Sequence, residues 1–254
     1  MQSIVDVELW QLALLTGAGI IAGALNVIAG GGSLMTVPIM LFLGLSGPEA
    51  NGTNRISIIA QNIVAVRTFF RRGFSEFRLS LTLSAAAIPG AILGAMVGVQ
   101  LDGEWFDRVL AIVMIGVLVL MQMPGKQHDT GGMPLTRKRL ILGHVLMFGA
   151  GCWGGFIQVG VGFILMPILH RVMGLDLVRT NMHKVFIALT YNLFAIVVFA
   201  AAVSIHWQFG LALAVGNSLG GYFGARFSVQ GGEVWIRRIV TVVLLIFIAK
   251  LLLP

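Results

Sequence analysis

The sequence predicts an all-α polytopic membrane protein made of two inverted-topology repeats, each a broken-helix hairpin followed by three transmembrane helices. Three observations carry that prediction. The 254 residues are 57% hydrophobic and only 11% charged, against about a quarter charged in an ordinary soluble domain. Apolar runs of membrane length recur from one end of the chain to the other. The chain also matches itself when displaced by about 130 residues.

The first apolar segment, 10–28, runs into Asn26–Pro38 (NVIAGGGSLMTVP), where Gly30, Gly31, Gly32 and Ser33 interrupt it. Three adjacent glycines do not hold a helix, since each costs about 1 kcal/mol against alanine. Broken backbone at membrane depth is tolerated only where it is buried in protein or lines a cavity. Segment 33–43 is short for a span, which needs about 20 residues. Segments 54–70, 79–99 and 106–123 follow and close the first repeat, residues 1–123. Residues 124–139 (PGKQHDTGGMPLTRKR) form a basic cytoplasmic linker. The second repeat, 140–254, keeps the same order: a segment at 140–157, a break at Gln158-Val159-Gly160-Val161-Gly162 running on to Pro167, a short segment 162–173, then 185–205, 208–227 and 234–253.

At the 130-residue displacement Asn51 meets Asn181, Asn62 meets Asn192, Gly90 meets Gly220, Trp105 meets Trp235 and Arg108 meets Arg238, with no gap. Chance among apolar residues accounts for alanine and glycine matches but not for paired Trp and Asn. Charge then sets the orientation. If each short segment turns back, each half crosses the membrane an odd number of times and the halves are inverted. Arg71, Arg72, Arg78, Lys126, Arg137–Arg139, Arg171, Arg179, Lys184, Arg237 and Arg238 then share one side, with only Arg55, Arg108 and Lys250 on the other. The positive-inside rule favours this arrangement, with both termini outside. The formal charge of +7 is accordingly read as orientation, not as nucleic-acid binding. The N-terminus, with Asp6 and Glu8 and no basic n-region, gives no expectation of a removable signal peptide. Cys152 is the only cysteine, which excludes an internal disulfide or a cysteine metal cluster.

Inverted repeats with broken helices are the pattern of secondary transporters, whose substrate sits near the midplane between the halves. The Gly30–Ser33 break opens a short helix, so free N–H groups and the positive dipole end face it, and Gly160–Gly162 offers the same from the other side. The competing structural reading is close helix packing through small residues. Asn51, Asn54 and Arg55 in one repeat, and Asn181, His183 and Lys184 in the other, combine amides with a positive charge, as oxyanion recognition requires. Capping by the asparagines and snorkelling by Arg55 and Lys184 are the structural alternatives. Gln61 and Asn62, with Tyr191 and Asn192, lie two turns further on, placed to line a cavity or to bond across helices. All ten acidic residues fall in predicted loops or at helix ends, whereas cation carriers usually keep an intramembrane carboxylate. No metal is expected, and an anion or a neutral solute fits better. His183 is the candidate for proton coupling. No nucleotide or cofactor motif appears. An intramembrane group-transfer enzyme is the alternative from another class, and Ser33 has no histidine or lysine at motif spacing to support it.

The N-x-x-x-G-G-G-S-x-x-x-x-P pattern at Asn26–Pro38, A-N-G-T-N-R at Ala50–Arg55 and the G-x-G-F…P run at Gly160–Pro167 resemble the TauE/SafE sulfite exporter family, over about residues 10–253. The resemblance implies a cell-membrane permease exporting small sulfur-containing anions such as sulfite or organosulfonates, with import of a sulfur compound as the alternative direction. Its matching positions here are Asn26, Gly30, Gly31, Gly32, Ser33, Asn51, Asn54, Arg55, Gly160, Gly162, Asn181 and Lys184; Gln158, which opens the second break, joins the candidate set. Val161 departs from the family pattern, where many relatives carry glycine. The expected partners are a small anionic substrate and the lipid bilayer, with no cofactor.

Overall fold

The structure is a computed structural model and describes residues 7–28, 30–101, 103–122 and 135–228. The predicted segment 234–253 and most of the linker lie outside the described residues. The elements in chain order are α1 (Leu9–Ile28), α2 (Ser33–Phe42), α3 (Gly47–Arg71), α4 (Phe77–Gly98), α5 (Glu104–Gln122), α6 (Arg137–Phe156), α7 (Gly162–Pro167, continued by a π-helical turn at Ile168–Val172), α8 (Leu177–Ala202) and α9 (Trp207–Ser228). Among the described residues there is no strand. Helices α1, α4 and α8 are each long and apolar enough to cross a membrane. Their outer faces expose large apolar side chains such as Ile20, Leu93 and Phe194, as a lipid-facing surface does. The ten residues of α2 extend only about 15 Å, half a bilayer core. The break before α2 turns the chain back on α1, with Gly32 packed on the Ala22 carbonyl.

Both α3 and α8 begin about two turns earlier than their apolar runs. Ser46 and Glu49 form a reciprocal capping box around Pro48, with the Ser46 N–H donating to Glu49 Oε2 at 3.1 Å. Asp176 Oδ1 caps α8 by accepting from the N–H groups of Val178 (3.0 Å) and Arg179 (2.9 Å). Asn51 and Asn181 therefore stand inside the helices and cap neither. Hydropathy passes over these first turns because they are polar, yet Asn51, Thr53, Asn54, Arg55, Thr180 and Asn181 are all buried.

The helices pack in cross-paired fashion. α1 lies against α9 and α4 against α6, while α3 contacts both α8 and α9, and α4 also contacts α8. Small residues let the backbones touch: Gly151 and Gly155 of α6 lie on the Ala87 and Ala91 carbonyls of α4, and Gly216 and Gly220 of α9 lie on Thr16 and Ile20 of α1. This packing puts the polar faces of α3 and α8 at the centre, against both breaks.

Candidate functional site

The two breaks meet each other. Gly30 has φ +81° and Gly160 φ +73°, conformations that glycine adopts without strain. Gly30 and Gly162 stand back to back, so that a Cβ built on Gly30 would lie 2.3 Å from Gly162 Cα, and one on Gly162 2.1 Å from Gly30 Cα. No side chain fits at that crossing. Gln158 also has positive φ, at 59°, which is uncommon for a residue with a side chain. Its Oε1 accepts from Tyr191 Oη at 3.0 Å and from Asn192 Nδ2 at 3.3 Å. Trp153 Nε1 donates to the next carbonyl, Val159 O, at 3.1 Å. Three bonds thus hold the second break in its strained form.

A small cavity, with room for about one water molecule, opens beside the crossing. It is lined by the polar or small residues Asn26, Gly30, Asn62, Gln158, Gly162 and Lys184 and by the apolar residues Val161, Leu165, Val185 and Ala188. Lys184 is 3% exposed, and its Nζ donates to Val27 O at 2.7 Å and to Asn181 Oδ1 at 2.8 Å. The ammonium therefore sits at the C-terminal end of α1, where the helix dipole is negative. Arg55 does the corresponding thing at the end of α6. Its Nη1 donates to Gly154 O at 3.1 Å and to Asn192 Oδ1 at 2.9 Å, and its Nη2 donates to Gly155 O and Asn51 Oδ1. The guanidinium carbon lies 4.4 Å from the centroid of the Phe199 ring. Arg55 is fully buried, so neither cation snorkels to water.

Of the residues singled out from sequence, the cavity gathers Asn26, Gly30, Gln158, Gly162 and Lys184. Others stand behind it. Asn54 donates through Nδ2 to Ser33 Oγ at 3.1 Å and accepts from Thr36 Oγ1 at 2.7 Å, tying α2 to α3. Asn51 Nδ2 donates to Phe156 O at 2.8 Å, and Asn181 Nδ2 to Ser228 Oγ at 2.7 Å. Gly31 faces the Phe163 ring, and Gly160 faces Val113 and Val117 of α5. The His183 ring turns towards α4, with Nδ1 2.7 Å from Ser80 Oγ and Nε2 3.7 Å from Glu76 Oε2. Asn62 belongs to the cavity but not to the set chosen from sequence. Its signal was present, as the second member of a Gln-Asn pair inside an apolar run. Glu49, Glu76, Glu104, Asp107 and Asp176 all sit at helix starts. Among the described residues no His, Cys, Asp or Glu cluster could hold a metal ion.

The family model for the sulfite exporter TauE/SafE matches residues 15–251. The chain belongs to the TauE/SafE family. Similar proteins include a probable membrane transporter protein of Sinorhizobium, 25% identical over 97% of this chain and 94% of its own length. Another, from Haemophilus influenzae, is 25% identical over 97% and 96%. The probable membrane transporter protein YfcA of Escherichia coli K12 is 26% identical over 95% and 89%. Among solved structures, none matches. TauE/SafE proteins are membrane transporters rather than enzymes, which sets the group-transfer alternative aside and makes this a multi-pass membrane protein. In this TauE/SafE chain Val161 has φ −56°, so its backbone does not require glycine, and the residue instead forms part of the cavity wall.

Proposed function

We propose that this protein is a secondary transporter that exports a small sulfur-containing anion, such as sulfite or an organosulfonate, by rocking two inverted repeats about the central cavity. One observation carries the anion: the cavity at the crossing of the breaks is lined by Lys184, a buried cationic residue, and by the amide residues Asn26, Asn62 and Gln158. No carboxylate lines it among the described residues. In a poorly solvated interior a positive border of this kind attracts an anion and repels a cation. Export needs no coupled proton, because an inside-negative potential drives an anion outward by about 2.3 kcal/mol per charge per 100 mV.

Register and packing support the inverted-repeat part of the reading. α3 and α8 begin 130 residues apart (Gly47 and Leu177), as do α4 and α9 (Phe77 and Trp207). Helix partners exchange under the same displacement, α1 with α9 answering α6 with α4, and α3 with α9 answering α8 with α4. The cations are crossed likewise: Arg55 of one repeat holds the broken helix of the other, and Lys184 returns the contact. Rocking of one repeat against the other would work on these two junctions.

The test is sulfite efflux from proteoliposomes, wild type beside Lys184→Met, with and without a pH gradient. The reading predicts efflux by wild type, insensitive to the pH gradient, and its loss in the variant. Absence of sulfite movement in correctly oriented wild type would overturn the substrate. Equal efflux by folded Lys184→Met would overturn the site.

A further inference from the structure

Asn62 on α3 and Asn192 on α8 occupy matching positions, 130 residues apart, and their surroundings differ. Asn192 is satisfied at both ends: Nδ2 donates to Ala188 O at 2.8 Å and to Gln158 Oε1 at 3.3 Å, and Oδ1 accepts from Arg55 Nη1 at 2.9 Å. Asn62 is satisfied at one end only. Its Oδ1 accepts from Gln61 Nε2 at 3.3 Å, and Gln61 Oε1 accepts in turn from Asn26 Nδ2 at 3.2 Å. Asn62 Nδ2 finds no hydrogen-bond partner among the described residues, although Asn62 is 1% exposed and lines the cavity.

The direction of this amide chain is cooperative. Turning Asn62 alone would set its NH2 against the NH2 of Gln61, donor against donor. A buried N–H without a partner opposes folding, and this one borders the same cavity as an ammonium. A guest oxygen carrying lone pairs would accept from Asn62 Nδ2 while lying in the field of the ammonium.

We propose that Asn62 Nδ2 is a direct substrate ligand of the cavity, selecting a guest that presents an unprotonated oxyanion oxygen, and that Gln61 and Asn26 are positioning residues that aim it. The assignment rests on the anion-site reading above and deepens it. A guest presenting an ammonium or hydroxyl hydrogen at this point meets another donor and is rejected, because it leaves both groups unpaired. Asn192, the twin, has its capacity taken by Arg55 and Gln158 and serves the fold.

The experiment compares full-length wild type, Asn62→Leu, Asn62→Asp, Gln61→Met and Asn192→Leu, purified in detergent. Each is titrated at constant ionic strength with sulfite, sulfate and methanesulfonate, reading affinity and melting temperature. Asn62→Leu should weaken whichever oxyanion binds wild type by at least about tenfold, with an unliganded melting temperature close to wild type. Asn62→Asp, of the same size, replaces the donor by an acceptor and should abolish binding. Gln61→Met, reconstituted in proteoliposomes beside wild type, should raise the transport KM with little change in kcat. Asn192→Leu should lower the melting temperature and leave affinity within about threefold of wild type. Unchanged affinity in Asn62→Leu or Asn62→Asp overturns the proposal, as does a collapse in melting temperature in both, which would make Asn62 structural. A wild type that binds none of the three oxyanions overturns it too. If sulfate or methanesulfonate binds through Asn62 and sulfite does not, the ligand role stands and sulfite falls as the substrate.

Discussion

The junctions at the ends of α1 and α6 use the same physics to different effect. At the end of α6, Arg55 spreads a planar fork over four oxygens, two backbone and two amide, and lies over Phe199. At the end of α1, Lys184 bonds one carbonyl and one amide oxygen and borders the cavity. Both cations offset the negative end of a helix that stops inside the protein. A planar guanidinium forks across several acceptors at once, whereas an ammonium is a compact point charge, here beside the cavity. The comparison separates a residue that holds the fold from one that holds it and, in the function proposed above, also meets substrate.

The largest effect should come from breaking the sealed junction. Arg55→Leu strips a partner from four buried oxygens and is expected to cost about 3–5 kcal/mol, read as loss of folded protein in detergent. Arg55→Lys should recover little, since an ammonium cannot span the fork. Next, Gly30→Ala forces a Cβ into Gly162 at positive φ. A loss of about 3 kcal/mol or more is expected in the same unfolding measurement, and Gly162→Ala should match it. Lys184→Met sharpens the contrast: its stability loss should stay near 1–2 kcal/mol, while anion transport falls at least about tenfold. The smallest effect belongs to Ser80→Ala, which removes the His183 partner on the face turned to α4. It should cost about 1 kcal/mol and leave the KM for transport unchanged, while a large KM change would bring His183 back as a coupling residue.

Much of this was legible in the sequence, and the reasons for the remainder are physical. The breaks were readable because three glycines in an apolar run have few explanations. The 130-residue register was readable because Trp and Asn seldom repeat by chance in membrane helices. The starts of α3 and α8 were not, because their first two turns are polar and buried, and a hydropathy reading treats polar residues as loop. Gly30, Gly162 and Lys184, which line the cavity, were picked out by sequence pattern. Ser33 and Asn54 turned out to satisfy each other, and Asn51 to bond the end of α6. Which face of a helix meets a cavity depends on its rotation against its neighbours, which a single sequence does not record. Asn62 and Asn54 stand on the same helix with the same chemistry, and only tertiary packing separates the unpaired donor from the saturated one.

The central claim is that the crossing of the breaks is an anion site whose charge is Lys184. Counterflow of radiolabelled sulfite into proteoliposomes preloaded with unlabelled sulfite tests it most directly, with wild type and Lys184→Met reconstituted at equal density and checked for folding. Transient accumulation in wild type, and none in the variant, is the predicted result. Accumulation of equal size in both would contradict the claim.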